Sequence, residues 1–291
     1  MCPVPPTQRH AVAPLDAEFE EWEQRAATPP RTAAAVERIA TLDYVEFRRR
    51  FLGRRRPVII TGALEQWPAM RRWNMDYLEQ AIGGRRITPL IMNDGRMYLD
   101  VREGMRVEEM DFPAYRRQVE GRDAPPYYLR LALEGRFTNL LEDDYEIPVY
   151  CRHRIFMKKN LWVGGKGVAT GLHYDMTHNL VAQIAGHRRV VLFSPGERRN
   201  LYPYPLRTLS WHHSQVGLDA PDLARFPRFV HAQRVELELG RGEMLFIPQG
   251  WWHRFSTVEN AMAVNFFWLT KRLAPAMALA RMAWVLSGIR T

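Results

Sequence analysis

Two histidines and one aspartate form the strongest chemical signal in this sequence of 291 residues. His173 and Asp175 lie two residues apart, so in an extended strand the imidazole and the carboxylate point to the same side. His253 follows about 80 residues later, after a strand-like run that ends in Ile247-Pro248. Two histidines and one carboxylate hold Fe(II) on one face and leave up to three coordination positions open. The sequence therefore predicts an iron site built from His173, Asp175 and His253.

Three further histidines could be considered as metal ligands, but their positions favour an interpretation as loop residues. His178 follows the first two ligands and is interpreted as a loop residue rather than as a contact of the metal or the substrate. His212 and His213 are adjacent, and adjacent residues of a strand face opposite ways. We expect this pair to lie in a loop and not to form a second metal site.

The elements that must position the iron ligands are short strands separated by glycine or proline. This punctuation is typical of a β-sandwich or jelly roll. The predicted strands are Asn160–Val163, Thr170–Asp175, Leu180–Ile184, Val190–Phe193, Val235–Leu239, Met244–Pro248 and Met262–Trp268.

The N-terminal half mixes predicted helices with strands. Helices are expected over Asp43–Leu52, Met75–Ala81 and Asp111–Glu120, and strands over Pro57–Gly62, Ile87–Met92, Met97–Val101 and Pro125–Leu131. The triplet Asn93-Asp94-Gly95 is a hairpin signal. The expected organisation is a Pro- and Ala-rich segment over residues 1–35, one domain over 36–270 and an apolar helix over 271–291.

Composition places the chain among ordinary globular proteins, with 46% hydrophobic and 25% charged residues. The net charge is +9, and arginine supplies most of it. This charge suits an acidic partner or an anionic co-substrate, or it reflects a GC-rich genome that encodes arginine in place of lysine. The two cysteines, the lack of a signal-peptide pattern and the lack of a long apolar run predict a cytoplasmic protein without a membrane segment.

The segments Gly171–Pro195 and Gly242–Trp268 resemble the Jumonji C or cupin-like family of Fe(II)- and 2-oxoglutarate-dependent oxygenases. The resemblance extends to Pro57–Trp67, Tyr127–Leu131 and Leu201–Pro205, and covers roughly residues 40–270. It is closest to the branch that contains the asparaginyl hydroxylase inhibiting hypoxia-inducible factor. The implied fold is mainly β, a double-stranded β-helix (jelly roll) with N-terminal flanking helices and a C-terminal helix.

The resemblance also implies roles for residues around the metal. His173, Asp175 and His253 correspond to the iron ligands of the family. Thr170 and Tyr128 would donate hydroxyl hydrogen bonds to the distal carboxylate of 2-oxoglutarate. Asn179, Asn265 and Trp162 would line the cofactor pocket.

One position departs from the family pattern. The family usually has a lysine fifteen residues after the first histidine ligand, where this chain has Arg188. Arginine can form a bidentate pair with a carboxylate, so the role survives chemically. Arg189 would face the opposite side of a strand, and only the resemblance favours Arg188 over Arg189.

The implied activity is hydroxylation of a C–H bond, with succinate and carbon dioxide as co-products. The expected substrate is a protein or peptide side chain, including that of a ribosomal peptide natural-product precursor. Alternatives are an oxygenase acting on RNA or a small molecule, and a cupin-like binding protein without turnover. Relatives dimerise through terminal helices, so a homodimer formed through 271–291 is expected.

Overall fold

The computed structural model describes residues 35–270 except 94–95, 98, 101–103, 122–126, 135–136, 138–139 and 209. Residues 1–34 and 271–291, which contain nearly all of the predicted segment 1–35 and the expected C-terminal helix, lie outside the described residues. Among those residues, no helix has both the length and the apolar character needed to cross a bilayer.

Fifteen strands and five α-helices make up the described part of the chain. The strands before the iron-ligand segment are β1 (Glu37–Ile39), β2 (Val58–Ile60), β3 (Leu90–Asn93), β4 (Arg96–Met97), β5 (Leu99–Asp100), β6 (Gly104–Met105), β7 (Tyr127–Ala132) and β8 (Arg154–Gly164). The later strands are β9 (His173–Tyr174), β10 (His178–Ala185), β11 (Arg188–Phe193), β12 (Arg234–Leu239), β13 (Met244–Ile247), β14 (Trp252–Thr257) and β15 (Ala261–Thr270). The helices are α1 (Tyr44–Phe47, continued by a π-helical turn over Arg48–Leu52), α2 (Ala69–Arg72), α3 (Met75–Ile82), α4 (Phe112–Glu120) and α5 (Arg198–Leu201).

Two facing sheets form the jelly roll. The larger sheet has the order β1-β2-β13-β10-β15-β8-β7-β3-β4, and the smaller has the order β12-β11-β14-β9. Apolar side chains from both sheets meet between them, including Val181 of β10 and Val190 of β11. The double-stranded β-helix expected from the sequence is confirmed.

Helices α1–α4 pack on the outer face of the larger sheet, whereas Leu201 of α5 belongs to an apolar cluster with Phe193 and Trp252 of the smaller sheet. Side-chain caps define the starts of α1, α3 and α4: Asp43, Asn74 and Asp111 accept hydrogen bonds from backbone N–H groups three residues later. On β10, Leu180 and Ala182 join this helix-covered core, whereas Val181 faces the barrel interior. Because side chains alternate between the two faces of a strand, Asn179 points to the same side as Val181, inside the barrel.

Two strand predictions need correction. The expected strand over Thr170–Asp175 is regular only at His173–Tyr174, because Thr170 makes its backbone contact with Phe255 outside a continuous ladder. No strand was predicted between Pro248 and Met262, yet His253 lies inside strand β14. Strand β14 pairs with both β9 and β11. These pairings bring the segment Gly242–Trp268 against the segment Gly171–Pro195.

Candidate metal centre

The iron-ligand candidates meet at one end of the smaller sheet. His173 and His253 are directly opposite each other on β9 and β14, and Asp175 follows immediately after β9. The candidate ligand atoms of all three residues lie within 4.8 Å of one another. The distance from His253 Nε2 to Asp175 Oδ2 is 3.5 Å, which suits two atoms that bind one ion. These three side chains could therefore hold a metal ion.

Backbone contacts fix both imidazoles in the tautomer that a metal requires. His173 Nδ1 lies 2.9 Å from the Gly171 carbonyl oxygen, and His253 Nδ1 lies 3.0 Å from that of Trp251. Each Nδ1–H donates to its carbonyl, so each Nε2 presents a lone pair to the shared point. Burial, with a smaller effect from His173, lowers the pKa of His253 to about 4. The ring of His253 is therefore neutral at physiological pH.

A chain of amides holds the carboxylate of Asp175. Asn179 Nδ2 donates to Asp175 Oδ2 at 3.2 Å, and Asn265 Nδ2 donates to Asn179 Oδ1 at 3.2 Å. The buried Oδ1 of Asn265 has no hydrogen-bond partner among the described residues. A buried amide oxygen needs a hydrogen-bond partner. Asn265 lines the same cavity as Asp175.

Arg188 provides the clearest test of whether an anionic co-substrate fits. Its side chain is only 2% exposed, and its Nε and Nη2 have no hydrogen-bond partner among the described residues. A buried charge is costly unless it is paired, so this guanidinium is suited to a carboxylate that arrives with a ligand. Arg189 is exposed on the other face of β11. The structure thus brings Arg188, and not Arg189, to the metal cavity.

Two hydroxyl groups lie in the same cavity as Arg188. Thr170 Oγ1 accepts a hydrogen bond from the Phe255 N–H at 3.0 Å, which leaves its own O–H available as a donor. Burial raises the pKa of Tyr128, with Arg188 partly opposing the effect, so the phenol keeps its proton. The Arg188 guanidinium carbon lies 6.0 Å from the centre of the Tyr128 ring. These donors suit the far carboxylate of a keto acid.

The cavity that joins these groups has a volume of about 160 Å³. Trp162 forms one wall and packs against Tyr128 at a ring-centroid distance of 4.8 Å. All nine residues predicted for the site line this cavity: Tyr128, Trp162, Thr170, His173, Asp175, Asn179, Arg188, His253 and Asn265. The donor set, the orphaned polar atoms and the volume fit a divalent ion together with a small dicarboxylate.

The sequence did not predict that His212 and His213 would also line this cavity. Both lie outside the regular strands, as expected, but His213 forms an isolated bridge with His173. The rings of His213 and His173 stack, with a centroid distance of 5.2 Å and an interplanar angle of 18°. Burial, followed by the charge of His173, lowers the pKa of His212 to about 4 and that of His213 well below its ordinary value. The contact between His213 and His173 joins residues some 40 positions apart, so no local pattern predicts it. The adjacent histidine pair was the only feature of the sequence that pointed to these residues. His178 is also not in a loop: it begins β10 and faces away from the metal cavity.

Comparison with known proteins identifies the class. Residues 44–272 match the family described as the cupin-like domain, and the chain belongs to this family. Its Jumonji C members use Fe(II) and 2-oxoglutarate, in agreement with the His-Asp-His cluster.

Several named proteins are similar to this chain. It is 31% identical over 240 residues to lysine-specific demethylase JMJ30 of Arabidopsis thaliana, covering 81% of this chain and 55% of that protein. It is 33% identical over 242 residues to lysine-specific demethylase 8 of Danio rerio, covering 80% and 58%. It is 31% identical over 251 residues to tRNA wybutosine-synthesizing protein 5 of Gallus gallus, covering 79% and 76%. The chain thus spans about half the length of the demethylases that it matches.

Proposed function

We propose that this chain is an Fe(II)- and 2-oxoglutarate-dependent dioxygenase that hydroxylates a C–H bond in a protein or peptide side chain. Succinate and carbon dioxide would be the co-products. The observation that carries the proposal is the buried, unpaired Arg188 in the same small cavity as the His-Asp-His cluster. A metal site alone would need no buried cation beside it, whereas a dicarboxylate co-substrate does.

Different residues of the chain would bind the iron, bind the co-substrate and exclude water. His173, Asp175 and His253 would hold the iron, which supplies the oxygen activation that side chains cannot perform. Arg188, Tyr128 and Thr170 would grip the distal carboxylate, and Asn179 would hold Asp175 in position. Trp162 and the neighbouring apolar walls would exclude water from the reacting groups.

The charge of the cavity favours hydroxylation of a neutral or acidic side chain over demethylation of a methylated lysine. Among the described residues that line the cavity, Asp175 is the sole carboxylate, and it belongs to the metal cluster. Arg130 lines the same cavity and adds a second positive charge to that of Arg188. With Arg188 paired to the co-substrate, a methylammonium group would still meet Arg130, and no carboxylate outside the metal cluster lines the cavity among the described residues; like charges at short range cost free energy.

The decisive measurement is succinate release by the purified protein with a peptide library. Release should require both Fe(II) and 2-oxoglutarate, and the modified peptide should gain one oxygen atom. His173→Ala should abolish turnover, while His231→Ala, at an exposed position away from the cavity, should leave it unchanged. Binding of 2-oxoglutarate without turnover on either peptides or RNA would instead identify a non-catalytic cupin-like protein.

RNA is the second candidate substrate. The similarity to tRNA wybutosine-synthesizing protein 5 covers 76% of that protein, against about half of each demethylase. The net charge of +9 also suits a polyanion. RNA binding that weakens steeply with salt, together with oxygen incorporation into RNA and not into peptides, would establish this alternative.

A further inference from the structure

A second cavity lies on the opposite side of strand β10 from the metal centre. Its volume is about 600 Å³, and it lies beside His178, the first residue of β10, and Thr270, the last residue of β15. None of its lining residues lines the metal cavity. It is therefore a separate site, and the proposed oxygenase chemistry leaves it without a role.

The walls of this cavity carry positive charge from three arginines. Arg48, Arg55 and Arg154 line it, and no carboxylate does so among the described residues. Arg48 and Arg154 are exposed, and neither has an ion-pair partner within the described part of the chain. Burial lowers the pKa of Arg55, which reflects the cost of holding its charge at this place. Arg48 and Arg154 thus bring two guanidinium groups to the cavity without an ion-pair partner among the described residues.

His178 supplies an oriented hydrogen-bond donor at the base of the cavity. The ring is 2% exposed and packs between Phe246 and Trp268, with ring-centroid distances of 5.7 and 5.2 Å. Its Nδ1 accepts a hydrogen bond from the Gln249 N–H at 3.1 Å, so its proton is on Nε2. Burial, and to a lesser extent Arg55, lowers the pKa of His178 to about 3, which keeps the ring neutral. No described residue accepts from Nε2–H.

We infer that this cavity binds a phosphate monoester, with the phosphate on Arg48, Arg154 and His178. The polar side chains here are mainly donors, and guanidinium groups match phosphate oxygens with paired hydrogen bonds. A doubly charged phosphate suits several cations better than one carboxylate does. The volume exceeds that of phosphate alone, and Tyr44 and Ile155 offer apolar wall for the organic part of an ester.

Calorimetric titration with phenyl phosphate and with inorganic phosphate tests this site directly. At fixed ionic strength we expect saturable binding of one phenyl phosphate, tighter than that of inorganic phosphate. The double variant Arg48→Gln/Arg154→Gln should weaken phenyl phosphate binding at least tenfold. Both side chains are exposed, so the fold should tolerate their loss.

Matched variants separate a specific site from general charge. Arg71→Gln/Arg117→Gln removes the same charge from exposed positions outside both cavities and should leave the affinity unchanged. Arg188→Gln should also leave it unchanged, because Arg188 lines the other cavity. Equal weakening in the Arg71/Arg117 control, or loss of binding in Arg188→Gln alone, would overturn the assignment.

Discussion

Arg188 carries a positive charge inside the barrel, and no carboxylate of the described residues pairs with it. Its neighbours are the rings of Tyr128 and Phe255, at 6.0 and 5.9 Å from the guanidinium carbon. These contacts only partly replace the lost hydration. The residue therefore has two separable effects, one on ligand binding and one on stability.

Arg188→Met should weaken binding of 2-oxoglutarate by roughly one to two orders of magnitude. The reason is the loss of charge-assisted hydrogen bonds worth about 1.5–3 kcal/mol. Calorimetry on the protein loaded with Mn(II) measures the dissociation constant without turnover. Arg189→Met, on the opposite face of β11, should change it little; equal effects of the two substitutions would contradict the assignment of Arg188.

The same Arg188→Met substitution should raise, or at least preserve, the thermal stability of the ligand-free protein. Replacing a buried unpaired charge with an apolar side chain of similar length removes a desolvation cost; even replacing a buried ion pair with apolar residues is often neutral or stabilising, by about 1–4 kcal/mol. Thermal unfolding of the ligand-free protein measures this. A clear fall in the melting temperature would mean that Arg188 serves the fold rather than a ligand.

The turn between β10 and β11 decides which arginine enters the barrel. Gly186 adopts a φ of +68°, and Gln183 Nε2 donates to the carbonyl oxygens of Ala185 and Gly186. The ladder between β10 and β15 shifts register over Gln183 to Ala185. Together these features set the phase of β11, so that Arg188 points inward.

Gly186→Ala should destabilise the protein by at least 1–3 kcal/mol, the usual range for a strained backbone. The added Cβ would lie 2.2 Å from the Asn260 carbonyl oxygen, so the turn must also shift. Urea unfolding measures the change. Gly84→Ala is the control, because a Cβ there meets nothing within 4 Å; a similar loss in both variants would show that the turn is not the cause.

Strand periodicity explains which parts of the site the sequence could predict. His173, Asp175 and the strands around β10, β13 and β15 follow from local patterns, since each depends on a few neighbouring residues. Alternation along a strand shows that Arg188 and Arg189 face opposite sides, but not which of them faces inward. That choice depends on the Gly186 turn and on the shifted register, which the alternation does not reveal. Strand β14 was missed because Trp251-Trp252-His253 follows a proline turn and lacks clear alternation, and its pairing with β9 and β11 stabilises it.

Over the whole molecule, the unpredicted features are those that depend on contacts distant in sequence. His213 reaches His173 of β9 through an isolated bridge, and His178 belongs to a core formed with Phe246 and Trp268. The family model matches residues 44–272, and the division of the chain into a segment over 1–35, a domain over 36–270 and a helix over 271–291 stays a prediction. The role of 271–291 remains a prediction.

A homodimer formed through 271–291 predicts that truncation after Thr270 yields a monomer. The segment carries Leu, Met, Trp and Val residues around much of a helical projection, so a helix there would need cover on more than one side. Light scattering coupled to gel filtration gives the molar mass of the full chain and of the truncated one. A full chain that elutes as a monomer at micromolar concentration would refute the prediction.

Acid should destabilise the whole domain in a way that depends on His178. Its pKa is about 3 in the folded protein and about 6.5 in an unfolded chain. Between these values the unfolded state binds more protons, so the free energy of unfolding falls as pH decreases, by at most about 1.4 kcal/mol per pH unit for this residue. The contribution of neutral His178 is therefore fully present above pH ~6.5 and is lost towards pH ~3.

His178→Phe keeps an aromatic ring between Phe246 and Trp268 but leaves the Gln249 N–H without its acceptor. The variant should start less stable at pH 7 and lose stability less steeply between pH 6.5 and 4.5. Urea unfolding at a series of pH values measures both slopes, with His231→Phe as the exposed control. Parallel slopes for wild type and His178→Phe would show that His178 takes up its proton in the folded state.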